Sequence, residues 1–122
     1  MFEPKVVTVG MGYIGLPTSA LIAQNKVPVL GVDINQHVVD TINAGKIHIV
    51  EPELDEIVQE AVNNNFLRAS LTPVEAEVYL IVVPTPFKAK NEPDISFVEA
   101  ATNAVLPFLK KGDLYIIEST SP

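Results

Sequence analysis

The sequence has 122 residues, 48% of them hydrophobic, a net charge of −7 and no cysteine. A chain of this length forms one domain that buries roughly two thirds of the surface its unfolded form exposes, while the acidic balance argues against nucleic acid, which needs a basic face to displace phosphate counterions. Without cysteine, disulfides, thiolate metal sites and thiol catalysis are excluded within these residues.

Met1-Phe2-Glu3-Pro4-Lys5 lacks the basic and apolar regions of a signal peptide, and no apolar run approaches membrane-spanning length, so the sequence reads as cytoplasmic with no membrane contact. Residues 5–9 form the first strand, apolar nearly throughout. A glycine turn follows, then a helical pattern over 14–25. A second strand covers 27–32, with Pro28 near its start. Residues 36–44 carry Val38, Val39 and Ile42 on a helix that Gly45 caps; residues 53–64 carry Leu54, Ile57, Val58 and Ala61 on another. Leu67 to Ser70 read as a short strand and 78–83 as a long one. The helix predicted over 96–109 is bent or ended early by Pro107, and 114–118 form a final strand. Strands this apolar are buried on both faces. Their alternation with helices gives right-handed crossovers and an α/β, doubly wound parallel sheet of Rossmann type. The chain stops at Glu118-Ser119-Thr120-Ser121-Pro122, directly after a strand, which reads as a fragment of a longer enzyme truncated after about the fifth strand. Prolines and glycines are spread along the chain, with no linker, low-complexity tract or repeat.

The chemistry concentrates in Val6-Val7-Thr8-Val9-Gly10-Met11-Gly12-Tyr13-Ile14-Gly15, with Asp33 following 18 residues after Gly15. Gly10 permits the tight turn off the strand, Gly12 lets backbone approach a pyrophosphate, and Gly15 lets the helix pack closely on the sheet. The helix N-terminus supplies the anion site through its own N–H groups, which suits a stretch without lysine between Lys5 and Lys26. The amides of Tyr13 and Ile14 face the same pyrophosphate. Asp33, closing the second strand, accepts hydrogen bonds from both ribose hydroxyls of an adenosine and disfavours a 2′-phosphate. No arginine follows it in Ile34, Asn35 or Gln36, so NAD is favoured over NADP. FAD stays open on this pattern alone.

Val83-Pro84-Thr85-Pro86-Phe87 leaves a buried strand towards the same rim, and its two prolines fix a loop that presents the Thr85 hydroxyl to the cofactor. Thr120, at the exit of the final strand, is a candidate catalytic residue. His37 and His48 pair with no serine, cysteine or metal-like cluster and read as surface or helix-end residues. The acids Glu51, Glu53, Asp55, Glu56 and Glu60 open a helix, where carboxylates complement the dipole and face solvent, so no metal site is assigned.

Taken together, residues 10–17, Gly31-Val32-Asp33-Ile34-Asn35, His48-Ile49-Val50-Glu51-Pro52-Glu53-Leu54, Val83-Pro84-Thr85-Pro86-Phe87-Lys88 and Glu118-Ser119-Thr120-Ser121-Pro122 resemble the amino-terminal domain of nucleotide-sugar 6-dehydrogenases over nearly the whole chain. Within that family the proline loop and the last block differ from what UDP-glucose dehydrogenases usually show. The resemblance implies a two-step, NAD-dependent oxidation of a UDP-sugar C6 alcohol to a carboxylate, through a thiohemiacetal and a thioester on a cysteine. It implies that this cysteine, a lysine and an asparagine lie in later segments, and that the 122-residue chain alone is inactive. It places Gly10, Gly12, Tyr13, Ile14 and Gly15 at the pyrophosphate, Asp33 at the adenosine ribose, Thr85 near the nicotinamide and Thr120 beside the reacting centre. It further implies a full-length homodimer formed mainly through elements beyond Pro122, and a product that serves a bacterial surface polysaccharide. Two readings compete with it. One is a complete nucleotide-sensing module, similar to the small Rossmann domains that regulate ion channels, which should contain the last strands of its sheet. The other is a further NAD-linked family such as the hydroxyacid dehydrogenases, which shares the logic of the first 33 residues but not the later blocks.

Overall fold

A computed structural model describes residues 2–83 and 96–118, apart from the Phe97 side chain. The four apolar runs and the short Leu67–Ser70 segment become five parallel strands, β1 (Val6–Val9), β2 (Val29–Val32), β3 (Leu67–Ser70), β4 (Val78–Ile81) and β5 (Leu114–Ile117), in the order β3-β2-β1-β4-β5. The register is unbroken: Val6 lies between Val29 and Val78, and Val9 between Val32 and Ile81. Between them run α1 (Gly15–Gln24), α2 (Gln36–Asn43), α3 (Leu54–Asn63) and α4 (Ser96–Val105). This is the doubly wound α/β architecture that the alternating pattern predicts.

Boundaries shift for local reasons. β2 begins at Val29, since Pro28 has no N–H to give; its carbonyl instead accepts from the N–H groups of Lys5 and Val6, at 2.9 and 3.2 Å. α2 opens on Asn35, whose side chain accepts from the N–H of His37 at 2.9 Å and of Val38 at 3.4 Å, and it closes before Gly45 at φ +77°. Glu53 stands left-handed at φ +65°, so α3 starts one residue later than its pattern suggests. Pro107 acts as expected: α4 stops at Val105 and a 3-10 turn, Leu106–Phe108, follows.

Two cores form, one on each face of the sheet. Leu16 and Ala20 of α1, Val39 and Ile42 of α2 and Val58 of α3 pack with Val6, Val29 and Leu67. On the other face Ala101 and Val105 of α4 pack with Val7, Val9, Leu30, Val32, Tyr79 and Ile81. The two edges differ. Val29 and Asp33 donate to the carbonyls of Phe66 and Ser70, so in β3 the alternate residue Ala69 turns its N–H and C=O outward. Asn43, at the end of α2, takes both: its side-chain amide donates to the Ala69 carbonyl at 3.0 Å and accepts from the Ala69 N–H at 2.8 Å. At the other edge the expectation of burial on both faces fails for β5: it has a neighbouring strand on one side only, and Leu114, Ile116 and Ile117 are exposed.

Candidate dinucleotide site

The strand order reverses at β1, with β2 and β3 stepping to one side and β4 and β5 to the other. Doubly wound sheets take ligands in the crevice outside the carboxyl ends at such a switch point. A cavity of about 540 Å³ opens there. The strand ends Val9, Val32 and Val82 meet it from below, Gly10 to Ile14 form one wall, Ile34, Leu71 and Pro73 a second, and Ala100, Ala101 and Ala104 of α4 a third.

The three glycines answer to three different constraints. Gly10 has φ +101°, and a Cβ there would stand 2.3 Å from the Val82 carbonyl oxygen. At Gly15 a Cβ would come within 1.7 Å of the Gly10 carbonyl oxygen, because α1 starts directly against the turn. At Gly12 a Cβ would meet nothing within 4 Å. Its missing side chain therefore serves no internal packing and leaves room on the cavity side for something external to approach the backbone.

Beside that room lies an uncapped helix. Ile14, the residue before α1, offers no side-chain cap, and among the described residues the N–H groups of Gly12, Tyr13 and Ile14 meet no acceptor. Unpaired N–H groups and the positive end of a helix favour an anion. The neighbouring α2 is different, since Asn35 already fills its N-terminus. Tyr13 lines the cavity and is 70% exposed.

Asp33 reaches the same cavity from the end of β2. Its Oδ2 accepts from the Met11 N–H at 3.1 Å and its Oδ1 from the Asn35 N–H at 3.0 Å. A carboxylate has about four acceptor positions, so one on each oxygen remains for a pair of donors such as a ribose diol. Among the described residues no cation pairs with it. The residues fit a dinucleotide: backbone donors for a bridging diphosphate, open space at Gly12, and a carboxylate acceptor for a sugar diol.

Of the residues singled out in the sequence, Gly10, Gly12, Tyr13, Ile14 and Asp33 line the cavity together, with Gly15 packed behind the turn. Thr85, with its proline loop, and Thr120 lie outside the described residues. The helix-opening acids Glu51, Glu53, Asp55, Glu56 and Glu60 are all exposed, as is His37. Sequence reasoning missed the Leu71–Pro73 wall, the alanine face of α4 and the fully buried side chain of Met11. Only Met11 left a signal, through Gly31: a glycine inside an apolar strand marks a close approach.

Residues 4–122 match the UDP-glucose/GDP-mannose dehydrogenase family, NAD binding domain. UDP-N-acetyl-D-mannosamine dehydrogenase of Escherichia coli (strain K12) is 61% identical over 93% of this chain. NDP-N-acetyl-D-galactosaminuronic acid dehydrogenase of Ralstonia nicotianae is 57% identical over the same share. Each is matched along 27% of its own length, so the chain spans about a quarter of these relatives. Among solved structures, the UDP-N-acetyl-mannosamine dehydrogenase of Staphylococcus aureus superposes with a TM-score of 0.92 at 47% identity, over 95% of this chain and 29% of that one. The cofactor that goes with this domain is NAD, and the chain belongs to the UDP-glucose/GDP-mannose dehydrogenase family through its NAD-binding domain.

Proposed function

We propose that residues 1–122 are one NAD-binding domain serving a UDP-N-acetyl-D-mannosamine 6-dehydrogenase, a cytoplasmic enzyme that oxidises the C6 alcohol of its sugar nucleotide to a carboxylate in two steps. The observation that carries the site is Gly12, open and flanked by the uncapped start of α1 and by Asp33. The sugar is supported by the 61% identity to the Escherichia coli relative; UDP-glucose or another UDP-sugar is the second choice. The run of family blocks through the whole chain favours the enzyme over a regulatory nucleotide-sensing module.

In this reading the amides of Gly12, Tyr13 and Ile14 hold the pyrophosphate, with Gly10 and Gly15 shaping the turn. Asp33 takes the two ribose hydroxyls and rejects a 2′-phosphate by charge. Bound NAD supplies the hydride acceptor. Thr85 stands near the nicotinamide and Thr120 near the reacting carbon, both on the strength of their sequence blocks. The nucleophilic thiol comes from segments like those the longer relatives carry beyond the matched quarter, as do the contacts of a homodimer, and the 122-residue chain alone does not turn over.

Calorimetric titration tests the site. NAD should bind saturably and NADP far more weakly, and Asp33→Ala should weaken NAD about tenfold or more, the worth of hydrogen bonds to a charged acceptor. Equal binding of NADP, or an unaffected variant, would remove Asp33 from the ribose. For the activity, this domain would replace the matched segment of the Escherichia coli enzyme. NADH formation from UDP-N-acetyl-D-mannosamine in the chimera, and none from the chain alone, is the expected result; a chimera that folds and binds NAD but turns over only UDP-glucose would move the assignment to that sugar.

A further inference from the structure

Met11 occupies the one variable position between Gly10 and Gly12, yet its side chain is fully buried. It lies between α1 and β2. The Ser19 hydroxyl on α1 donates to its Sδ at 3.5 Å. On the β2 side it sits on Gly31, where a Cβ would stand 2.4 Å from Met11 Cε, 2.6 Å from Sδ and 2.9 Å from Cγ. Gly31 is two residues before Asp33, and the Met11 N–H is the donor on Asp33 Oδ2 at 3.1 Å. The adjacent Gly10 N–H bonds the Val32 carbonyl at 2.7 Å. One residue thus uses its thioether to set how closely the turn rides over β2 and its amide to hold the carboxylate at the end of that strand.

We propose that Met11, seated on Gly31 and held by Ser19, is a positioning residue for the ribose-binding carboxylate. It orients the two acceptor positions of Asp33 that the backbone leaves open, and it thereby contributes to the preference for a free 2′-hydroxyl. The inference rests on the reading of Asp33 as ribose acceptor. A side chain that only filled the core would act differently: its truncation would lower thermal stability and leave the ratio of NADP to NAD affinity where it was.

The test is a set of variants of the 122-residue chain titrated with NAD and with NADP, with the melting temperature of each recorded. Met11→Ala should raise the Kd for NAD about tenfold, the value of a misdirected charged hydrogen bond, and shrink the NADP-to-NAD Kd ratio with it. Met11→Leu, which keeps most of the volume, should retain both. Gly31→Ala should imitate Met11→Ala, and the double variant should bind no worse than Gly31→Ala alone, because removal of the thioether vacates the space that the new methyl needs. Should Met11→Ala fail to fold, Ser19→Ala removes only the hydroxyl and should move NAD affinity in the same direction by about two- to fivefold, the worth of a weak hydrogen bond. A fall in melting temperature with NAD affinity and cofactor ratio unchanged overturns the proposal, as does strict additivity of the Gly31 and Met11 changes. Asp33→Ala in the same series separates the two levels. If it weakens NAD while the Met11 variants do not, only the positioning role fails; if it has no effect, the ribose reading fails beneath it.

Discussion

Single residues divide the glycine turn into parts that build it and a part that serves a ligand. Gly15→Ala sets a methyl 1.7 Å from a carbonyl oxygen and forces backbone to move; it should cost about 1–3 kcal/mol, as overpacking does, visible as a lower melting temperature without any ligand. Gly12→Ala meets nothing, so the unliganded chain should keep its stability within about 0.5 kcal/mol while NAD affinity falls. A calorimetric scan and a titration of both variants check the pair, and equal destabilisation by the two would contradict the division. The glycines and Asp33 were legible because each demands a backbone geometry or a charge that few residues supply. Met11 was not: an apolar residue in a variable position carries no pattern, and its role comes from the partner that yields space, Gly31, 20 positions later. The Leu71–Pro73 and alanine walls were likewise hidden, since only the assembled sheet brings them to the cavity.

Elements were legible where one force dominates. Buried parallel strands read as continuous apolar runs, and Pro107 ended α4 as its missing N–H requires. The closure of β3 was not legible, because an asparagine in the last turn of a helix reads as a helix-end residue whichever way its amide points. Asn43→Ala leaves the outward N–H and C=O of Ala69 without their present partners. The expected loss is about 1–3 kcal/mol if those groups stay buried, together with concentration-dependent association through the opened edge. Chemical denaturation and sedimentation of the variant read the two effects separately; a variant as stable and as dispersed as the parent would show that Asn43 is dispensable.

At the scale of the whole molecule, Tyr79 ties the segment before β4 to the segment after α4. Its hydroxyl accepts from the Ala76 N–H at 2.9 Å and lies 3.2 Å from the Val74 carbonyl and 3.3 Å from that of Phe108. The exposed Lys110–Glu75 pair at 3.1 Å spans the same segments. Burial first of all, then the nearby acids Asp113 and Glu75, lift the phenol above its ordinary 10.0. A raised acid is easier to ionise in the unfolded chain than in the folded one, so its contribution is complete below pH 10.0 and is lost as the pH climbs from there through the folded value. Lys110, raised by its hydrogen bond to Glu75, acts in the same sense. Tyr79→Phe should therefore cost about 1–3 kcal/mol at neutral pH and flatten the alkaline decline, which urea melts between pH 8 and about 11 would follow. An alkaline limb as steep in the variant as in the parent would assign that decline to other groups.

The contrast between the two sheet edges has a consequence for growth. Leu114 and Glu118 bond back to Glu77 and Ile81, so Tyr115 and Ile117 direct their N–H and C=O groups away from the sheet, while at the far side Asn43 occupies the equivalent groups of Ala69. The two edges are therefore unequal. When the strand added beside β5 is the β5 of a second copy, each copy fills the other's outward groups and the pair is a discrete object, whereas stacking copy upon copy through β3 is opposed at Ala69, the middle of that edge, by the side-chain amide of one asparagine.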